Sequence, residues 1–182
     1  MEANFAAPVT GTVPGPEIHT VSPQFAVTFM SPENFELKKK IYHACLQLQQ
    51  DHVHQAKSAM EEVQESANEH IGSMEDKFES FRENCQIQRD MYAKQLDEAL
   101  TALATLKRID LTKEYKEAML GALVETEQHK YFISVSLGEV KVDGKSYFAI
   151  STLSPLFKAM AEMKKGEKFV FRDKTYTVLN IF

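Results

Sequence analysis

Apolar residues fall at three- and four-residue steps over two long stretches. The first carries Leu37, Ile41, Ala44 and Leu48, then Val53, Ala56, Met60, Val63, Ala67 and Ile71, with a phase shift between Leu48 and Val53. In the second, Phe78, Cys85, Tyr92, Ala99 and Leu106 recur every seven residues, and Met74, Phe81, Gln88, Gln95 and Ala102 fall on the neighbouring seam. This spacing predicts helices from about Pro32 to Ile71 and from about Met74 to Arg108. Ser31 suits an N-cap, Pro32 the first helical position, and Glu33 the positive end of the helix dipole. Gly72-Ser73 interrupts two arms of similar length, which predicts an antiparallel helical hairpin. At about 1.5 Å of rise per residue each arm spans roughly 50–60 Å. A parallel coiled-coil dimer is the alternative use of the same stripes.

After Leu106 the period changes. Residues 111–121 read as a connector, and residues 122–182 as a separate α+β unit. Ala122–Thr126, Lys130–Ser136 and Tyr147–Ser151 are rich in β-branched and aromatic residues and predict strands. Asp143-Gly144 is a hairpin-turn signal. Ser154-Pro155 opens a short helix running to about Met163, with Gly166 as its C-cap. Phe169–Phe171 and Thr175–Ile181 predict a closing hairpin around Arg172-Asp173-Lys174. Strands with one inserted helix predict a small antiparallel α+β domain.

Upstream, residues 1–30 hold Pro8, Pro14, Pro16 and Pro23 with Gly11 and Gly15, a composition that predicts a flexible tail. Met30, just before the helix cap, is a candidate natural start.

The 182-residue chain is 43% hydrophobic and 26% charged, ordinary values for a folded soluble protein. A net charge of −5 argues against general nucleic-acid binding, which needs clustered cations on phosphates. No apolar run approaches the roughly 20 residues of a membrane span. Cys45 and Cys85 fall on opposite arms about 20 Å out of register, too far for a disulfide. Two free thiols predict a reducing, cytoplasmic setting.

Charge is uneven along the hairpin. Glu61, Glu62, Glu65, Glu69, Glu75, Asp76, Glu79 and Glu83 crowd its distal end against Lys77 and Arg82. Solvated, glutamate-rich helix is the plain explanation; a charged probe reaching for a partner is the functional one. His52 and His54, two apart on a helix, point about 200° from each other and cannot share a metal unaided. Cys45 with His43 fails similarly as a nucleophile pair. The chain has no glycine-rich phosphate loop and no Ser-His-Asp set, which predicts a protein that is not an enzyme in its own right.

The order of parts resembles bacterial Gre-type transcription elongation factors. Ile150-Ser-Thr-Leu-Ser154-Pro155-Leu, a short helix, Lys164-Lys-Gly166-Glu-Lys-Phe-Val and a closing Tyr176-Thr-Val-Leu-Asn-Ile are similar to the C-terminal passage of that family. Lys77-Phe78-Glu79 through Arg82-Glu83 looks like its stretch just past the hairpin tip. The resemblance covers roughly residues 35–182. It implies an FKBP-like C-terminal domain that docks on RNA polymerase through the Ser154-Pro155 region. It also implies a monomer whose coiled coil enters the polymerase secondary channel, without sequence-specific nucleic-acid contact. Acidic tip residues, here Glu75 and Asp76, would help hold a Mg²⁺ ion shared with the polymerase; no other cofactor is implied. The tip departs from the family pattern. Where Gre tips read Gly-Asp-x-x-Glu, Gly72-Ser73-Met74-Glu75-Asp76 stands here, with Ser73 at the first acid position and Asp76 at the second. That favours polymerase binding over stimulation of transcript cleavage. Two other readings stay open: a coiled-coil adaptor that does not bind polymerase, and a peptidyl-prolyl isomerase suggested by the fold of the Gre C-terminal half.

Overall fold

The computed structural model describes residues 31–69 and 75–182. The expected tail over residues 1–30, the Met30 start and the Gly72-Ser73 break lie outside the described residues. Helix α1 spans Pro32–Glu69 and α2 spans Glu75–Lys107. The Ser31 hydroxyl accepts from the Asn34 amide at 3.3 Å, and its carbonyl accepts from Phe35 at 3.0 Å, as its cap position requires. The two arms pack against each other along their length within one chain.

Their seam differs from the apolar stripe in the sequence. On α1 the buried positions are Lys38, Ile41, Cys45, Gln49 and Ala56, while Leu48 is 37% exposed. Gln49 takes up the phase shift: from Ile41 the inward positions step by four to Cys45, Gln49 and Val53 before the three-residue step to Ala56. Gln49 is buried because its Nε2 donates to the Ala99 carbonyl at 2.9 Å, which removes the cost of covering an amide. On α2, Cys85, Tyr92, Ala99 and Leu106 face inward as the heptad spacing predicts. On the second seam Phe81 and Ala102 are half-buried as expected, while Gln88 and Gln95 are exposed and the next residues, Arg89 and Leu96, are half-buried in their place. A four–three alternation keeps each inward residue over the partner arm, and the glutamines one step earlier rotate into water.

The remaining elements are β1 (Leu123–Thr126), β2 (Lys130–Ser134), β3 (Gly138–Val142), β4 (Lys145–Ser151), α3 (Pro155–Met160), β5 (Lys168–Phe171) and β6 (Lys174–Ile181). They form a six-stranded sheet in the order β3-β4-β2-β1-β6-β5. The class is α+β: a long helical hairpin followed by a mixed sheet. The expectation of a wholly antiparallel sheet needs one correction, because β2 and β4 run parallel, Tyr131 beside Phe148 and Ile133 beside Ile150. The cause is β3, which the strand runs in the sequence did not include. The chain leaves β2, runs out along the sheet edge as β3, and returns as β4 in the gap, so β4 must share the direction of β2. Val140 and Val142 face inward while Glu139 and Lys141 face water, a period-two pattern just before the turn. Asp143 and Gly144 both have positive φ, 50° and 74°, as a two-residue hairpin turn needs.

Helix α3 is shorter than expected, and Gly166 is not its C-cap. The helix stops at Met160 because the next amides bond elsewhere: Glu162 N–H donates to the Ala118 carbonyl at 3.1 Å, and Ala118 N–H donates to Met163 at 3.0 Å. Gly166 instead donates to Val178 at 2.8 Å and begins the β5–β6 ladder.

The sheet is the middle of three layers. One face sets Leu123, Phe132, Tyr147, Ala149 and Phe182 against Ile41, Cys45, Leu106 and Ile109 at the hairpin base. The other sets Val124, Tyr131, Ile133 and Val178 against Met160 and the connector residues Tyr115 and Ala118. Phe132, Leu106 and Ile41 are wholly buried in the first core, so the rod and sheet share one close-packed joint.

Candidate functional site

Two places were expected to carry function, the rod tip and the loop that opens α3. The loop is built from serine hydroxyls. Ser151 Oγ accepts from Leu153 N–H at 3.2 Å, and the Ser151 carbonyl accepts from Ser154 N–H at 3.1 Å. Ser154 Oγ accepts from Phe157 N–H at 3.1 Å, with extended backbone at Ser154 and Pro155 at the first helical position. Both Ser154 and Pro155 are therefore helix-start residues, and the Ser154 hydroxyl oxygen is engaged in the cap. What the loop offers outward is Leu153, 80% exposed. Below it Leu156 and Phe157 pack into the second core and hold the loop in place. An isolated leucine on a hydrogen-bonded loop can fill a pocket on a partner; it cannot perform acid–base or nucleophilic chemistry.

At the far end, Glu75 and Asp76 stand in the first turn of α2. Their side chains lie outside what the structure describes. Among the described acids, Glu61, Glu62, Glu65, Glu79 and Glu83 are exposed, and Glu61 is shared with Lys57 at 3.7 Å. Arg89 reaches across the arms to Gln64 Oε1 at 3.3 Å. Among the described residues no hydrogen bond or ion pair joins the distal arms to the α3 loop.

The described residues contain no group of three or more His, Cys, Asp or Glu that could hold a metal ion. Cys45 and Cys85 are free and buried, and burial pushes the Cys45 thiol up to about 12, which keeps it protonated and inert. His52 lines an open trough of about 630 Å³ between the arms, with Gln49, Ala56, Tyr92, Ala99 and Ser136. On the sheet, Tyr131, Phe132, Tyr147, Phe169 and Tyr176 are all buried, and the Phe169 and Tyr176 rings stack at 5.1 Å. These aromatic side chains form core.

The connector holds a functional-looking group that the sequence pattern hid. Lys38 is fully buried on α1, donating to the Lys113 carbonyl at 3.2 Å. Burial pushes its ammonium down to about 8, against the opposing pull of Asp110. Thr112, donating through both hydroxyl and amide, holds the Asp110 carboxyl below the usual carboxylate range. Only the regular step from Lys38 to Ile41 and Cys45 hinted at this position.

No family model matches the chain, and no curated protein matches it. Solved structures do. A structure described as the transcription factor Gfh1 is 17% identical, with a TM-score of 0.30, over 79% of this chain and 94% of the other. The Gfh1 protein of Thermus thermophilus, described as GreA factor homolog 1, is likewise 17% identical with a TM-score of 0.29, over 81% and 94% of the two chains. No described helix is long and apolar enough to cross a membrane.

Proposed function

We propose that this chain is a Gre-like regulator that binds RNA polymerase, docking by its sheet domain and placing the acidic hairpin in the secondary channel. The observation that carries the proposal is the joint. Ile41, Cys45 and Leu106 are buried in one core with Phe132 and Tyr147, so the rod's direction is fixed by the domain that would dock. A probe must be aimed before it enters a channel, and a close-packed joint supplies that aim without an ordering cost on binding. The Ser151–Pro155 loop, presenting Leu153, is the docking element in this reading, supported by the passage from Ile150 to Leu156 that resembles the Gre family.

The activity proposed is occupancy of the channel, not stimulation of cleavage. At the aligned tip positions the donor set is Ser73 and Asp76, one carboxylate short of a pair. A neutral hydroxyl is a poor ligand for Mg²⁺, which prefers anionic oxygen donors and retained waters. Ser73 in place of the first acid makes the tip a weaker Mg²⁺ ligand than a carboxylate pair at those positions, with Glu75 and Asp76 the acids left beside it.

An adaptor role would use the rod as a dimer strand, but each arm already has its partner within the chain. A prolyl-isomerase role would need an open apolar cleft, and Tyr131, Phe132, Tyr147, Phe169 and Tyr176 of the sheet are buried in packing.

The test is a pull-down of core RNA polymerase from the source cell with the full chain, followed by transcript cleavage on a stalled complex with Mg²⁺. Binding that slows elongation without cleavage supports the proposal. Absence of binding overturns it, and cleavage abolished by a Glu75→Ala/Asp76→Ala double variant overturns the channel-blocking part.

A further inference from the structure

We propose that the free edge of the sheet at β5 accepts an acidic, extended peptide as an added strand. β5 is the last strand in the sheet and pairs only with β6. The two-residue turn at Arg172-Asp173 makes Phe171 and Lys174 a pair that exchanges hydrogen bonds, and alternation gives the same role to Phe169 and Tyr176. Two residues further on, Val178 N–H donates to the Glu167 carbonyl at 2.9 Å while the Val178 carbonyl accepts from Gly166 at 2.8 Å, a bulge that keeps the same side of the strand turned to β6. The residues between, Lys168 and Val170, therefore turn their N–H and C=O groups outward. Both are exposed, Val170 at 63%.

Charge along that edge selects the occupant. From Lys164 to Lys174 the chain has five cations and two carboxylates. Glu167 is turned back to the Lys164 amide at 2.8 Å, and Lys164 is matched to Glu117 at 3.3 Å. Lys168, Arg172 and Lys174 have no ion-pair partner among the described residues. An incoming strand with carboxylates on alternate positions meets these cations and supplies the missing backbone partners. A second copy of β5 would set the same cations against each other, which disfavours self-pairing. The distal acids of the rod belong to α1 and α2, whose backbones are already hydrogen-bonded and cannot add as strands. At the opposite edge, β3 presents Glu139 beside Lys141 and has no preference of sign. This inference does not rest on polymerase binding.

The probe is a fluorescein-labelled peptide alternating glutamate with threonine and valine, titrated with the full chain and read by anisotropy. Saturable binding is expected, weakened by salt and lost when lysine replaces glutamate in the peptide. Val170→Pro removes an outward N–H while leaving the bonds to β6 intact, and it should weaken binding by at least about tenfold. The wild-type chain against a peptide N-methylated at alternate residues makes the same test without altering the protein, and that peptide should not bind. Equal binding of the methylated and plain peptides would mean simple charge attraction and overturn the strand-addition proposal, as would the absence of saturable binding.

Discussion

The Lys38 ammonium lies 4.2 Å from the centroid of the Tyr115 ring, at the point where α1 meets the connector. Lys113 approaches the same ring at 5.2 Å. Ring and Asp110 both favour a charged Lys38, while removal from water opposes it and wins. A cation is thereby buried at the joint that aims the rod.

Stability should consequently rise between pH 7 and 9. Lys38 titrates near 8 in the folded chain against an ordinary 10.5, so the unfolded state binds more protons in that window. The contribution is complete above 10.5 and is lost as pH falls through 8. Cys45 has the opposite sign: held near 12 against 9.0, its contribution is present below 9.0 and is lost as pH climbs towards 12. Urea denaturation should show a net gain of up to about 1 kcal/mol from pH 7 to 9, little change from 9 to 10.5 where the two contributions offset each other, and a decline above 10.5. Lys38→Met should flatten the rise, and Cys45→Ala should reduce the decline.

Gln49 gives the seam a polar contact that only one register satisfies. Gln49→Leu removes it and leaves the Ala99 carbonyl its helical partner. The variant should melt at a temperature equal to or above wild type, because apolar seam contact replaces an amide. Sedimentation should at the same time reveal a larger share of dimer than in the wild type. Unchanged mass would show that Gln49 does not define the pairing.

Gly121 is a place where glycine is obligatory. Its φ is 92°, and an added Cβ would sit 2.4 Å from Tyr115 Oη and 3.1 Å from Ile109 Cγ2. Gly121→Ala should cost about 2 kcal/mol or more by thermal denaturation, from strain and overlap together. Adding Tyr115→Phe removes the nearest atom and should recover part of the loss but not the strained φ.

Within the α3 loop, structure and docking can be separated. Ser154→Ala loses the bond to Phe157 N–H and should cost about 1 kcal/mol. Leu153→Asp changes an exposed side chain and should leave stability within about 0.5 kcal/mol. If this loop docks on polymerase, Leu153→Asp should weaken binding in a pull-down far more than Ser154→Ala. The reverse order would place the docking surface elsewhere.

The hairpin, its Ser31 cap, the Asp143-Gly144 turn, the Ser154-Pro155 helix start and most strands were legible because each is a local preference. Capping, backbone φ and hydrophobic period act over a few residues, and the sequence records them directly. Three features required the tertiary structure. Lys38 and Gln49 entered the core because distant carbonyls, at Lys113 and Ala99, satisfied them; composition sends such residues to the surface. The parallel pairing of β2 with β4 followed from β3 taking the outer edge, a choice made between strands and not within one. The place where the rod meets the sheet was decided by how Ile41, Cys45 and Leu106 pack into one core with Phe132 and Tyr147. A sequence encodes which face of each helix is apolar, but where that face stops covering its partner and starts covering a sheet depends on the volumes that must close around it.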